Sequence, residues 1–203
     1  MTAPEFRYET TDAEPSHGPM PYQTVGPFFH DALPYPDGPR LAGPDRPGAF
    51  VLSGRVLDGA GEPIDDGLVE IWQADERGGF QHRAGIYEQV TAAGFRCFGR
   101  CATDPDGRYW FRTVKPAPVS TVDGRSQAPY IAMSVFARGM LRRAVTRVYF
   151  ADEAAANTAD PLLSALTENR RPTLLAAPTA GGYRFDVRVS GTDETVLLDV
   201  TAC

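Results

Sequence analysis

After residue 48, hydrophobic and polar positions alternate with a period of two along most of the chain, the spacing of strands with one buried face. Ala49 to Leu57 (AFVLSGRVL) reads as a strand, followed by the turn DGAGEP from Asp58 to Pro63. Gly67 to Ala74 (GLVEIWQA) sets Leu68, Glu70 and Trp72 against Val69 and Ile71. The turn Asp104-Pro105-Asp106-Gly107 leads into a strand from Arg108 to Val114 (RYWFRTV). Ile131, Met133, Val135 and Ala137 then alternate with Ala132, Ser134 and Phe136, and Val145, Val148 and Phe150 lie in a returning run. Gly139 supplies the permissive backbone between the two runs. Tyr183 to Ser190 and Thr195 to Val200 close the pattern.

Helical signals are few. Asp160 is a good N-cap with Pro161 behind it, opening a helix through LLSALTENR, and Asp152 to Asn157 can add a helical turn. Short strands, turns rich in Gly, Pro and Asp, and one short helix predict an all-β protein: a two-sheet β-sandwich with a long N-terminal arm. The arm has two parts. Residues 1–20 are polar, acidic and proline-punctuated, which predicts a flexible segment. Residues 21–48 are too rich in proline for a helix or a central strand. They carry Tyr22, Phe28, Phe29 and Tyr35, which must pack either on this domain or on a partner, so this is a candidate docking arm. Residues 49–203 form the sandwich domain.

Composition adds limits. The 203 residues include 42% hydrophobic positions, enough to bury one domain's core. A formal net charge of −6 excludes broad binding to nucleic acid or anionic membrane. No run of apolar residues is long enough to span a bilayer, and the N-terminus lacks the pattern of a secretory signal. Cys97, Cys101 and Cys203 match neither a zinc quartet nor a disulfide framework and predict reduced thiols in a cytoplasmic protein.

Candidate chemistry is sparse. His17, His30 and His82 form no metal-binding pair, and the nucleophile elbow, phosphate loop and dinucleotide fingerprint are all absent. Arg138, Arg142, Arg143 and Arg147 stand out, because they sit in and beside a stiff hairpin and can present cationic forks to a carboxylate. Arg142, Arg143 and Arg147 read as interface or surface charges.

Several motifs occur in a fixed order. LVEI is followed by Trp72-Gln73-Ala74-Asp75, then FGRCATDPDGRYWFRTVKP (98–116), APYIAMSVFARG (128–139), TRVYFADE (146–153) and YRFDVRVSGTDETVLLD (183–199). This ordered set resembles the intradiol ring-cleavage dioxygenases, over nearly the whole chain. The resemblance implies a β-sandwich and oxidative cleavage of a catechol in aromatic catabolism. Catalytic chains of that family hold a ferric ion with two tyrosines and two histidines. At the matching positions this chain has Tyr87, Val119, Tyr130 and Ala132, so the resemblance implies a vestigial site that holds no metal. It further implies a non-iron-bearing, alpha-type subunit that pairs with a homologous beta subunit. Fe(3+) is expected on that partner, not on this chain. The implied substrates are protocatechuate (3,4-dihydroxybenzoate) and O2, the product 3-carboxy-cis,cis-muconate. This chain's share of the substrate pocket is implied to be Thr24, Gly26, Pro27 and Phe28 of the arm, with Arg138 for the substrate carboxylate. The competing reading is a non-catalytic β-sandwich module that binds a small aromatic or carboxylated ligand.

Overall fold

A computed structural model describes residues 26, 28–80 and 90–200. The flexible segment expected over residues 1–20 lies outside the described residues.

The strands are β1 (Ala49–Leu57), β2 (Leu68–Trp72), β3 (Phe98–Ala102), β4 (Arg108–Val114), β5 (Val119–Ser120), β6 (Ser126–Gln127), β7 (Tyr130–Phe136), β8 (Ala144–Phe150), β9 (Leu175–Thr179), β10 (Gly182–Arg184) and β11 (Val187–Arg188). The helices are α1 (Phe28–Ala32), α2 (Ala154–Ala159) and α3 (Pro161–Ala165). The protein is therefore all-β with short helices, as its alternation predicts. Nine strands form one sheet: eight follow the path β11-β1-β10-β9-β8-β7-β2-β3 and β4 pairs with β1 off that path, while β5 and β6 form a separate ladder. The path is nearly closed and barrel-like, where the sequence predicts two separate sheets. The cause is β9, which pairs with β8 through Leu175 and Ala176 and with β10 through Ala177 to Thr179. One strand thus belongs to both halves.

The alternation of β1, β2, β4 and β7 sends Leu52, Val56, Val69, Ile71, Phe111, Ile131, Met133 and Val135 into one common core. A second, smaller cluster gathers Tyr149, Leu163, Leu174 and Val196 beneath α3. Asp160 organises it. Its buried carboxylate caps the amides of Leu162 and Leu163 and also accepts from Ala128 N and Tyr149 Oη. These bonds satisfy both oxygens, as a buried carboxylate requires. The predicted helix after Asp160 stops at Ala165, and Leu166 is already extended at ψ 149°. Thr167 bonds to Asn169 instead of continuing the turn.

The proline-rich segment departs from expectation in one respect. Its stretch Phe28–Ala32, which lacks proline, forms the short helix α1. The rest is irregular, and arginines of the sheet hold its carbonyls. Arg100 donates to Leu33 O at 2.7 Å, Arg112 to Pro44 O at 2.6 Å, and Arg96 to Asp37 O. The segment also pairs by backbone at isolated points: Leu41 N and Ala42 N donate to Arg112 O, and Arg96 N donates to Leu41 O, making the bridges Arg40–Arg112 and Ala42–Phe95. Leu41 of this segment is fully buried and lies over Gly99, where even a Cβ would fall 2.2 Å from the leucine.

Candidate functional site

Arg138 follows β7 in a tight turn closed by Met140 N donating to Ala137 O at 3.2 Å. Gly139 holds φ at +84°, the left-handed region, with open space around it, so the turn needs glycine for its dihedral and not for its size. The Arg138 side chain is 69% exposed, and its Nε lies 3.2 Å from Oδ2 of Asp66, which is only 20% exposed. Helix α1 packs beside this turn. Phe29 is buried with its ring 6.0 Å from that of Phe136, and His30 Nε2 lies 3.2 Å from Thr103 O. Burial alone would lower the His30 pKa, but the bonds to Thr103 and Asp31 and the nearby Asp66 charge outweigh it and raise the pKa above 6.5. Phe28 points outward, 78% exposed. Gly26 is also exposed, with nothing within 4 Å of a Cβ placed there. Arg138 and the start of α1 therefore occupy one end of the domain. Thr24 and Pro27 lie outside the described residues.

The other implied positions gather elsewhere. Val119, Tyr130 and Ala132 line a cavity of about 30 Å³ with Trp72, Gln73 and Phe80. Gln73 is buried and fully engaged: it accepts from Thr113 Oγ1 at 2.6 Å and donates to Val114 O at 2.8 Å. Ala132 stands in register with Trp72 on one side and Arg147 on the other. The Arg147 guanidinium stacks 4.0 Å from the centroid of the Tyr130 ring and donates to Tyr149 Oη at 3.3 Å. Valine and alanine side chains have no donor atom for a ferric ion, and an arginine cation across from Ala132 opposes a trivalent charge. Among the described residues no group of three or more His, Cys, Asp and Glu is placed to hold a metal. Three of the four implied ligand positions thus share one small cavity whose lining does not fit iron. Tyr87, the fourth, lies outside the described residues, as does His82.

Arg138 is six positions along the chain from Ala132, the first four of them in extended β7. At about 3.3 Å per residue those four alone span roughly 13 Å, beyond the reach of an arginine side chain. Asp66, one of a pair of acids in a turn, carries no sequence signal as a site. Arg147, read from the sequence as an interface or surface charge, stacks on Tyr130 because β7 and β8 pair in that register. Arg143 lines a shallow groove on the outer sheet face with Trp72, Phe98 and Val145.

Comparison with known proteins defines the class. A family model described as Dioxygenase matches residues 24–191. The chain belongs to this family, the intradiol ring-cleaving dioxygenases. It is 41% identical over 197 residues to the protocatechuate 3,4-dioxygenase alpha chain of Burkholderia cepacia, covering 89% of this chain and 96% of that one. The beta chain of the same organism's enzyme is 33% identical over 156 residues, covering 72% and 66%. Among solved structures, catechol 1,2-dioxygenase of Acinetobacter sp. ADP1 shares the fold, with TM-score 0.55 and 22% identity over 73% of this chain and 55% of that one.

Proposed function

We propose that this chain is the alpha-type, non-iron-bearing subunit of a protocatechuate 3,4-dioxygenase. It completes a substrate pocket whose ferric ion belongs to a homologous beta-type partner. One observation supports this reading: Arg138 and α1 lie toward the opposite end of β7 from the vestigial cavity, out of the arginine's reach. The cavity has no donors for iron at Val119 and Ala132 and is far smaller than a pocket for an aromatic ring. The similarity to separately named alpha and beta chains supports a hetero-oligomer of alpha–beta units.

In this role the chain's contribution is positioning. Arg138 takes the carboxylate of 3,4-dihydroxybenzoate with a charge-assisted fork, and Phe28 offers an apolar face, with Thr24, Gly26 and Pro27 in the arm that approaches the partner. The partner's iron supplies activation of the catechol toward O2, and the ring opens to 3-carboxy-cis,cis-muconate. The docking arm is residues 21–48 and the dioxygenase-like domain residues 49–203. The two halves of the strand path face one common core, which supports a two-layer sandwich description. Cys97 and Cys101 are buried and form no disulfide among the described residues, in keeping with a cytoplasmic protein, and no described helix is long and apolar enough to cross a membrane.

The test is Arg138→Ala in the assembled enzyme. Loss of a desolvated charge-assisted contact should lower kcat/KM for protocatechuate by about 2–5 kcal/mol in transition-state stabilisation, mainly through KM. Unchanged kinetics would reject the assignment. The purified single chain should contain no stoichiometric iron and cleave no catechol until the partner is added.

A further inference from the structure

We infer that Asp66 is the positioning residue for Arg138, holding its guanidinium so that the outer fork faces the substrate carboxylate. The inference rests on the reading of Arg138 given above and adds a residue to it. Asp66 sits just before β2, and its side chain is largely buried while that of Arg138 is largely exposed. Its Oδ2 is shielded from solvent and has no hydrogen bond of good geometry among the described residues, yet it lies 3.2 Å from Arg138 Nε. A buried carboxylate oxygen without a partner is costly, so the arrangement draws the guanidinium inward by its Nε edge. No hydrogen bond or ion pair engages the two Nη groups among the described residues, which leaves them to meet a carboxylate in the bidentate manner.

The alternative is that Asp66 merely neutralises Arg138. The two roles have opposite signs. A neutralising carboxylate weakens the pull on an anionic substrate, so its removal would improve binding. A positioning carboxylate restricts an otherwise mobile side chain on an exposed turn, so its removal lowers the occupancy of the productive rotamer. The engagement of Nε rather than the Nη fork favours positioning.

The experiment uses the assembled alpha–beta enzyme and compares kcat/KM for 3,4-dihydroxybenzoate with that for catechol, which lacks the carboxylate. Asp66→Asn should lower this ratio at least about tenfold, through KM for the carboxylated substrate, and Asp66→Glu should restore part of it. In an Arg138→Ala background Asp66→Asn should change the ratio no further, because the two act as one unit. A loss of folding or assembly would lower activity toward both substrates together, and the ratio remains readable in whichever of Asp66→Asn and Asp66→Ser assembles. If Arg138→Ala lowers the ratio while Asp66→Asn leaves it unchanged or raises it, positioning is overturned and the role of Arg138 survives. If neither variant moves the ratio, the reading of Arg138 itself falls, and this inference with it.

Discussion

Lys115 shows how a single residue joins three strands of this fold. It follows β4, and its Nζ lies 2.9 Å from both Asp152 and Glu153 beyond β8. The same ammonium stands 5.0 Å from the Phe150 ring centroid and 5.2 Å from that of Tyr183 in β10, whose hydroxyl donates to Asp152 at 2.7 Å. Burial alone would lower the Lys115 pKa, yet the bonds to Glu153, Tyr183 and Asp152 outweigh it and push it well above its usual range. Lys115→Met keeps the stem but removes the charge, and should cost roughly 1–3 kcal/mol in urea denaturation at neutral pH. His30 makes a pH-dependent contribution of the same kind. Its folded pKa is raised, so it favours the folded state fully below its unfolded value of about 6.5 and ceases to do so as pH rises through the folded value. Denaturation midpoints measured on either side of that range should therefore show a loss at higher pH. His30→Gln should remove that part of the dependence, and an identical profile in the variant would contradict the assignment.

At the scale of elements, Asp160 is the residue on which α3 depends. Asp160→Ala removes the cap of α3 together with the acceptors of Ala128 N and Tyr149 Oη, all inside the second core cluster. The expected cost is roughly 2–4 kcal/mol, measured by thermal or chemical unfolding, with α3 and the Thr167–Arg170 turn the first amides to lose hydrogen-exchange protection. This cap was legible in the sequence because Asp-Pro before an apolar run has a local cause. Strands β1 and β4 were legible to the residue for the same reason, since they alternate and local Gly, Pro or Asp signals bound them: Pro47-Gly48 and Asp58-Gly59 around β1, Asp106-Gly107 and Pro116 around β4. Strand β3 escaped because Gly99 and Arg100 interrupt its alternation, and Gly99 makes sense only once Leu41 from the arm covers it. Strand β9 (LAAPT) carries two alanines and a proline and owes its place to its neighbours β8 and β10. The stretch 183–190 reads as one strand but breaks into β10 and β11 around Phe185 and Asp186. Thr195 to Val200 carries no assigned strand, although Leu198 N still donates to Val145 O at 2.7 Å. In the candidate site, Arg138 and the three cavity positions could be read from ordered motifs. Asp66 and the stacking of Arg147 could not, because both depend on which segments the fold brings together.

Over the whole molecule, the decisive feature is the length of β7. An enzyme that bound metal and substrate carboxylate within one chain would need both within a few ångströms of one aromatic ring. Here three of the positions implied for metal, Val119, Tyr130 and Ala132, line a cavity of about 30 Å³, room for only one or two waters, whereas pockets for drug-sized ligands run to about 300 Å³ or more. The arginine lies in the turn beyond the end of the strand, more than about 13 Å from Ala132. Valine and alanine line that cavity and an arginine stacks on its Tyr130, which fits the proposal above that the chemistry belongs to a second chain. The division of labour proposed above predicts an asymmetry between two substitutions near opposite ends of one strand. Ala132→Val adds two methyl groups beside the cavity, at a position half-buried in this chain, and should leave kcat/KM of the assembled enzyme within about twofold of the parent. Arg138→Ala should lower it by orders of magnitude. Assembly of each variant is checked by gel filtration, so that a lost partner is not mistaken for lost catalysis. A fully assembled Ala132→Val enzyme that cannot open the ring would mean that the reaction runs through this chain's own cavity.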